Sequence, residues 1–485
     1  MSDVLFTHAY FLRFDPKQWE TMQPYPPLGT LYAAGYVRQL GYDVGVFDSM
    51  LADGPALFEE ALKRHRPAYV VLFEDHFNYL SKMCLTRMRE AAYHMAALAK
   101  SAGCTVVVSS SDATDHKASY FSQGVDYILV GEGEYTLGEL LNSLSGRSKT
   151  AIEDIAGLAR RQDDTIKETP PRGFLKDLDE LPAPARDLAD MSAYEAAWRS
   201  RHGYFSTNMV TTRGCPFKCN WCAKPIYGIR YNSHSPAYVA HDLKALKDTY
   251  HPDHIWFADD IFGLKPDWVE SFSRHVEELQ CKTPFKIQAR VDLLDEPVVA
   301  ALKRAGCDMA WVGAESGSQK ILDAMDKGTT VEQIHKAAQR LHHHGIKVGF
   351  FLQFGYPGET REDIEKTIHM VKKGRPDDIG ISVSYPLPGT KFHEQVRQDL
   401  VDKTNWTDSD DLALMFQGTY SPEYYRLLHR VVHGRFRTQR GLDTLAELVT
   451  HPLRMNRSRM RTIATGVIGA ATAVVGEQRL RRMEK

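Results

Sequence analysis

Three of the seven cysteines in this 485-residue chain fall within eight residues. Cys215, Cys219 and Cys222 stand in the run Thr211-Thr212-Arg213-Gly214-Cys215-Pro216-Phe217-Lys218-Cys219-Asn220-Trp221-Cys222, a C-x3-C-x2-C spacing. Three thiolates on one short loop reach three corners of a small cluster. A structural zinc takes four protein ligands, and ferredoxins fill all four irons of a [4Fe–4S] cluster with cysteine. Only three cysteines are local here, so one iron of such a cluster stays open to another ligand. The alternative is a zinc knuckle that borrows one of the 20 histidines. Cys84, Cys104, Cys281 and Cys307 have no partner spacing and read as reduced thiols, since an odd, sparse set in a long chain is no disulfide framework.

The loop must be positioned by strands and helices. From about 205 to 395, six apolar runs alternate with helical stretches: Ser206–Thr212, His254–Ala258, Phe285–Ala289, Met309–Val312, Lys347–Leu352 and Ile379–Ser384. This predicts a parallel α/β body, open or a partial barrel, with functional residues where strands end. Residues 1–145 show the same alternation, with strands at Val4–Phe6, Val44–Phe47, Tyr69–Phe73, Thr105–Val108 and Tyr127–Val130. Five strands and five helices predict a flavodoxin-like doubly wound sheet that binds ligands at its carboxyl rim. Residues 146–200, with Pro170-Pro171 and Leu181-Pro182-Ala183-Pro184, read as a semi-rigid linker that spaces the two domains. Residues 201–400 form the second domain, and 401–485 are helical.

The cysteine run resembles the signature of the radical SAM superfamily, C-x3-C-x-aromatic-C after the first barrel strand, with Trp221 in the aromatic place. The resemblance spans about residues 205–395. It implies a partial (β/α)6 barrel and a [4Fe–4S] cluster on Cys215, Cys219 and Cys222. In that family S-adenosylmethionine (SAM) chelates the open iron, and its reductive cleavage gives a 5′-deoxyadenosyl radical that takes hydrogen from substrate. The later strand ends resemble the family in order. Asp259 and Asp260 match the acidic stretch that receives the methionine amino group; an Asp pair before a helix is also an N-cap. Arg290 can pair the SAM carboxylate bidentately or make a structural salt bridge. Glu315 and Ser316 match the ribose and methionine contact. Gly355 and Gly358 allow close backbone approach to a ligand.

A doubly wound domain ahead of such a barrel resembles the cobalamin-binding class, which includes cobalamin-dependent methyltransferases and the anaerobic magnesium-protoporphyrin monomethyl ester cyclase type. Pro24-Tyr25-Pro26-Pro27-Leu28-Gly29 and Val130-Gly131-Glu132-Gly133-Glu134 carry that match. The D-x-H-x-x-G motif of many cobalamin domains is absent, which leaves His8, His76 and His116 as candidate cobalt ligands. The fourth strand ends in Ser109-Ser110-Ser111-Asp112. The resemblance implies an oxidoreductase or methyltransferase acting on a small-molecule substrate, fed by an electron donor such as flavodoxin or ferredoxin. The competing reading is a non-catalytic metal-binding or regulatory protein with zinc or an inert cluster on the triplet.

A 43% hydrophobic and 25% charged composition is that of a globular chain, and a net charge of −2 argues against a dedicated nucleic-acid binder. The opening MSDVLFTHAYFLRF lacks the basic and apolar regions of a secretory signal. With an oxygen-labile cluster, a reducing cytoplasm is expected. The balance hides a basic end: residues 451–485 hold eight Arg and Lys against two Glu. They flank the uncharged run 462–476, TIATGVIGAATAVVG, which is short of the ~20 residues of a bilayer span. That segment can rest on an anionic membrane surface or pack on the barrel as a terminal helix. Trp406, Tyr420, Tyr424 and Tyr425, just before it, can cap a substrate cavity.

Overall fold

The computed structural model describes residues 2–83, 85–224, 226–451 and 455–484, so Cys84 lies outside the described residues. The first sheet holds β1 (Val4–Thr7), β2 (Val44–Phe47), β3 (Tyr69–Phe73), β4 (Thr105–Ser109), β5 (Tyr127–Leu129), β6 (Leu158–Gln162) and β7 (Thr165–Glu168). Their order is β2-β1-β3-β4-β5-β6-β7, parallel through β5. This is the flavodoxin-like order. Val70, Val71, Leu72 and Phe73 of β3 are fully buried. Helices cover both faces of a central parallel strand, so its sequence is a continuous apolar run.

Residues 146–200 are not a spacer. β6 and β7 add an antiparallel hairpin to the edge of the sheet, turned at Asp163, which has φ 53°. All of β7 is exposed, and a charged, solvated edge strand shows no apolar alternation. The rest of the segment is a strap bound on both sides. Leu175 N–H donates to Glu132 Oε2 (2.7 Å) and Ala185 N–H to Leu31 O (3.0 Å) of the first domain. Arg186 forks onto Asp242 (2.8 and 3.0 Å), and His234 Nδ1 meets Asp179 (2.9 Å). The domains are therefore in contact, not held apart. One apolar core runs from Leu5 to Leu480.

The second sheet holds β8 (Ser206–Met209), β11 (His254–Phe257), β12 (Phe285–Ala289), β13 (Cys307–Glu315), β14 (Lys347–Phe354) and β15 (Asp378–Val383), all parallel and in chain order across the sheet. This is a six-stranded half-barrel. The first expected strand is shorter than the apolar run: after Met209 the chain bends, and β9 (Thr212–Arg213) pairs antiparallel with β10 (Asn232–Ser233). That two-residue ladder closes the loop carrying all three cysteines.

The C-terminal region is an antiparallel hairpin of helices Pro422–Thr450 and Arg457–Met483. The small-residue run explains itself here. A Cβ on Gly434 would meet Gly469 O at 2.8 Å, and one on Gly466 would meet Gly441 Cα at 3.0 Å. The two backbones touch through glycine.

Candidate active site

The cysteine loop begins at Gly214, φ +77°, where a Cβ would lie 2.6 Å from Arg230 O. Only glycine lets the two arms of the loop pass so closely. Cys215, Cys219 and Cys222 are half-buried free thiols. Burial lifts the thiols of Cys215 and Cys222, the latter to about 11; Lys224 pulls both down, and Asp260 and the neighbouring cysteines push them up. The triplet thus shares one electrostatic neighbourhood. No three His, Cys, Asp or Glu among the described residues are gathered as a single metal ion would need. Asn220, inside the motif, pins the loop: its N–H donates to Met325 O (3.0 Å) and its Nδ2 to Ala324 O (2.7 Å). It also accepts from Tyr356 OH (3.2 Å).

The two aspartates after β11 divide their roles. Asp259 is buried, and its two oxygens accept four hydrogen bonds, from the N–H and hydroxyl of Thr211 (2.7 and 2.8 Å) and of Thr212 (2.8 and 3.1 Å). With that acceptor capacity filled, it anchors the entry to the cysteine loop and does not face an ammonium ligand. Burial lifts its pKa to about 7 against those bonds. Asp260 faces outward near Cys215 and Cys222 and is paired with Lys82 of the first domain.

Arg290 is engaged structurally. Nε and Nη2 fork onto Asp292 at 3.0 Å each, Nη1 donates to Lys327 O at 3.0 Å, and the guanidinium lies 3.7 Å from the Phe217 ring centre. The same Nη1 is 3.7 Å from Cys219 Sγ. Both nitrogens of its fork are taken by Asp292, so it is not poised for a second carboxylate.

Glu315 ends β13 at φ +55°, a left-handed conformation unusual outside glycine. Its Oε1 accepts from Lys327 Nζ at 2.7 Å, and both side chains are buried. Burial disfavours charge on Lys327, but Glu315 and the Cys219 thiolate hold its pKa above the ordinary value. A Cβ on Gly313 would meet Lys327 Nζ at 2.5 Å, so glycine makes room for the pair. Lys327 also stands 6.0 Å from the Trp221 ring. Nothing in the sequence around Lys327 marks it. Ser316 is wholly buried and bonds Thr367 Oγ1 (3.1 Å) and Ser318 N–H (3.1 Å).

Gly355 serves the protein rather than a ligand: at φ +80° its missing Cβ would strike Leu414 at 2.6 Å, beside Tyr425. Its N–H donates to Glu359, a buried carboxyl lifted to about 8. Gly358, φ +77°, has open space around it. Trp221 Nε1 and Gln353 Oε1 are buried without partners, two polar atoms that a ligand in the barrel mouth would satisfy. The half-buried thiols, with Lys224, Arg290 and Lys327 beside them, suit a cluster whose thiolates carry net negative charge.

On the first domain's rim, His8 Nε2 bonds Asp48 (2.9 Å) and its Nδ1 meets Ser49 Oγ (3.1 Å). Burial opposes charge on His8, but Asp48, Glu74 and Asp75 raise its pKa. His76 bonds Ser109 (3.1 Å) and burial drops its pKa to about 3. His116 lies 3.6 Å from Asp112. His8 is thus engaged at both ring nitrogens and His76 at one. Glu74, raised to about 7 by burial, keeps Oε2 unpartnered. The rim meets the barrel through Arg213, whose buried fork grips Glu134 at 2.6 and 3.3 Å. The Pro24–Gly29 run lies in the same interface, where Asn208 Nδ2 donates to Pro26 O at 2.9 Å. Trp406 is buried and packs on Tyr385; Tyr424 and Tyr425 pack on each other and against the barrel, Tyr425 beside Gly355 and Tyr424 near Arg361.

The Radical SAM superfamily model matches residues 209–371. An uncharacterized methyltransferase of Pyrococcus horikoshii is 30% identical over 389 residues, covering 79% of this chain and 81% of the relative. The anaerobic magnesium-protoporphyrin IX monomethyl ester cyclase of Rubrivivax gelatinosus is 25% identical over 409 residues, covering 81% and 70%. The solved structure of the cobalamin-dependent SAM radical enzyme OxsB, with aqua-cobalamin and SAM bound, superposes at a TM-score of 0.73 and 15% identity, over 98% of this chain and 72% of that one. The half-barrel behind the cysteine loop, the identity to the Pyrococcus protein and its coverage agree: the chain belongs to the radical SAM superfamily and is an enzyme of the class that sets a doubly wound domain before the barrel.

Proposed function

We propose that the chain is a cobalamin-dependent radical SAM methyltransferase acting on an unactivated carbon of a small molecule. The Pyrococcus relative carries this reading, since the 389 aligned residues are too many to lie in the barrel alone. The Rubrivivax cyclase, aligned over 409 residues, supports oxidative ring closure as a second reading.

When bound, the cluster and SAM supply one-electron chemistry that removes a hydrogen atom from substrate, and cobalamin supplies a methyl carrier. Cys215, Cys219 and Cys222 hold the cluster; Lys224, Arg290 and Lys327 offset its negative charge. Asp259 and Asn220 hold the loop in place. Asp260, Trp221 Nε1 and Gln353 Oε1 are the groups offered to SAM and substrate. On the rim of the first domain, Glu74, whose buried Oε2 has no hydrogen-bond partner, would be the group available to a corrin amide. A separate donor of the flavodoxin or ferredoxin kind would supply the electron, in a reducing cytoplasm.

Anaerobic reconstitution tests this. The expected result is ~4 iron per chain, retention of hydroxocobalamin through gel filtration, and both 5′-deoxyadenosine and S-adenosylhomocysteine from SAM and dithionite. 5′-Deoxyadenosine alone favours cyclisation. Neither product from iron-loaded protein overturns both readings. Cys219→Ala should lose the iron and keep the first domain folded.

A further inference from the structure

The C-terminal hairpin buries one side and leaves the other bare. In the helix Arg457–Met483, Gly466, Gly469, Ala473, Gly476 and Leu480 face inward. On the opposite side Val467 is 68% exposed, Ile468 65%, Val474 61% and Val475 51%. These pairs recur seven residues apart, two helical turns, so they form one stripe. One heptad before them stand Met460, 58% exposed, and Arg461; one heptad after stand Arg481 and Arg482. Leu442, Leu445 and Val449 of the first hairpin helix, 44–83% exposed, extend the apolar surface near the turn.

The charges are sorted as well. The acids of this helix end point inward: Glu477 pairs with Arg361 at 2.5 Å and with Arg435, and Glu484 pairs with Arg361 at 3.4 Å. Arg459 is paired with Glu447 at 2.9 Å. No ion pair among the described residues engages Arg457, Arg461, Arg479, Arg481 or Arg482. The outer side is therefore an apolar centre with cations at both ends and no acid. No helix among the described residues is long and apolar enough to cross a membrane.

We propose that this hairpin docks in the plane of an anionic lipid surface, with Val467, Ile468, Val474 and Val475 set into the headgroup boundary and the arginines on the phosphates. An in-plane helix needs an apolar face and a basic flank, and this one has both. A second copy of the chain would bring the same unpaired arginines to the contact and be repelled. Nucleic acid would leave the apolar centre without a partner.

Co-sedimentation of the full chain decides the matter. It should pellet with vesicles of phosphatidylcholine mixed with phosphatidylglycerol, stay in solution with phosphatidylcholine alone, and be released by salt. Arg481→Gln/Arg482→Gln should weaken partitioning by about fivefold per arginine. Val467→Asp/Val474→Asp should abolish it while leaving the melting temperature and iron content unchanged, because both side chains are exposed. The proposal is overturned if the wild type ignores anionic vesicles, or if the valine variant still pellets. It is equally overturned if the valine substitutions instead convert a solution dimer to a monomer.

Discussion

Arg290 Nη1 lies 3.7 Å from Cys219 Sγ while the rest of its guanidinium is locked by Asp292 and laid against Phe217. A cation fixed beside a cluster thiolate stabilises the added electron, and hydrogen bonds to sulfur are among the levers that set cluster potentials. Arg290→Gln should shift the cluster midpoint in the negative direction by on the order of 50 mV, roughly a tenfold change for a one-electron couple. Potentiometry followed by electron paramagnetic resonance reads this directly. Iron content should hold. An unchanged potential would make Arg290 a packing residue only.

Glu315 and Lys327 form a buried pair 2.7 Å apart. Removing one partner leaves an uncompensated buried charge, so Lys327→Met should cost about 3–5 kcal/mol. Glu315→Gln/Lys327→Met together should recover much of that loss in thermal unfolding. Gly313→Ala should cost less than the single variant, since the new methyl would meet only the ends of the Lys327 and Glu315 side chains, at 2.5 and 2.7 Å.

Asp259 touches no cysteine but holds Thr211 and Thr212 by four hydrogen bonds. Asp259→Ala would leave two buried N–H groups unpaired, a loss of about 2–3 kcal/mol. Reconstituted iron per chain should fall with it. Asp260→Ala, whose side chain is half-exposed and outside that network, should keep the iron.

Glu359 is buried with its carboxyl raised from 4.5 to about 8, and Glu74 from 4.5 to about 7, burial being the main cause in both. Both groups hold a proton when folded that they release when unfolded. Stability should therefore be greatest below about pH 4.5 for these two terms and decline as pH rises towards 8. Glu359→Gln should flatten the upper part of that decline, between about 7 and 8, in denaturant titrations across pH.

Much of the architecture is legible in the chain. The runs at Tyr69–Phe73 and Phe285–Ala289 are strands at those bounds: the first is continuously apolar because both faces are buried, and the second alternates, with Phe285, Ile287 and Ala289 buried between the less buried Lys286 and Gln288. The hairpin at β6 and β7 is not, because an exposed edge strand such as Thr165–Glu168 has no buried face to encode. Its trace is the turn at Asp163 between two polar runs.

The cysteine spacing is a local property of one loop, so the triplet is legible in the sequence as a candidate, and order along the chain points to the strand ends beside it. Which polar group at each strand end faces a ligand is not local. Asp259 and Asp260 are adjacent and alike in chemistry, yet one is saturated by Thr211 and Thr212 while the other reaches Lys82 of a different domain. Lys327 enters the site only because the turn after residues 319–324 folds back over β13. The small residues of 462–476 are equally ambiguous in one dimension. Only the packing of Gly466 and Gly469 on a second helix decides which side of that run is buried and which valines are left facing out. Side-chain direction depends on contacts far apart in sequence, and tertiary structure alone supplies them.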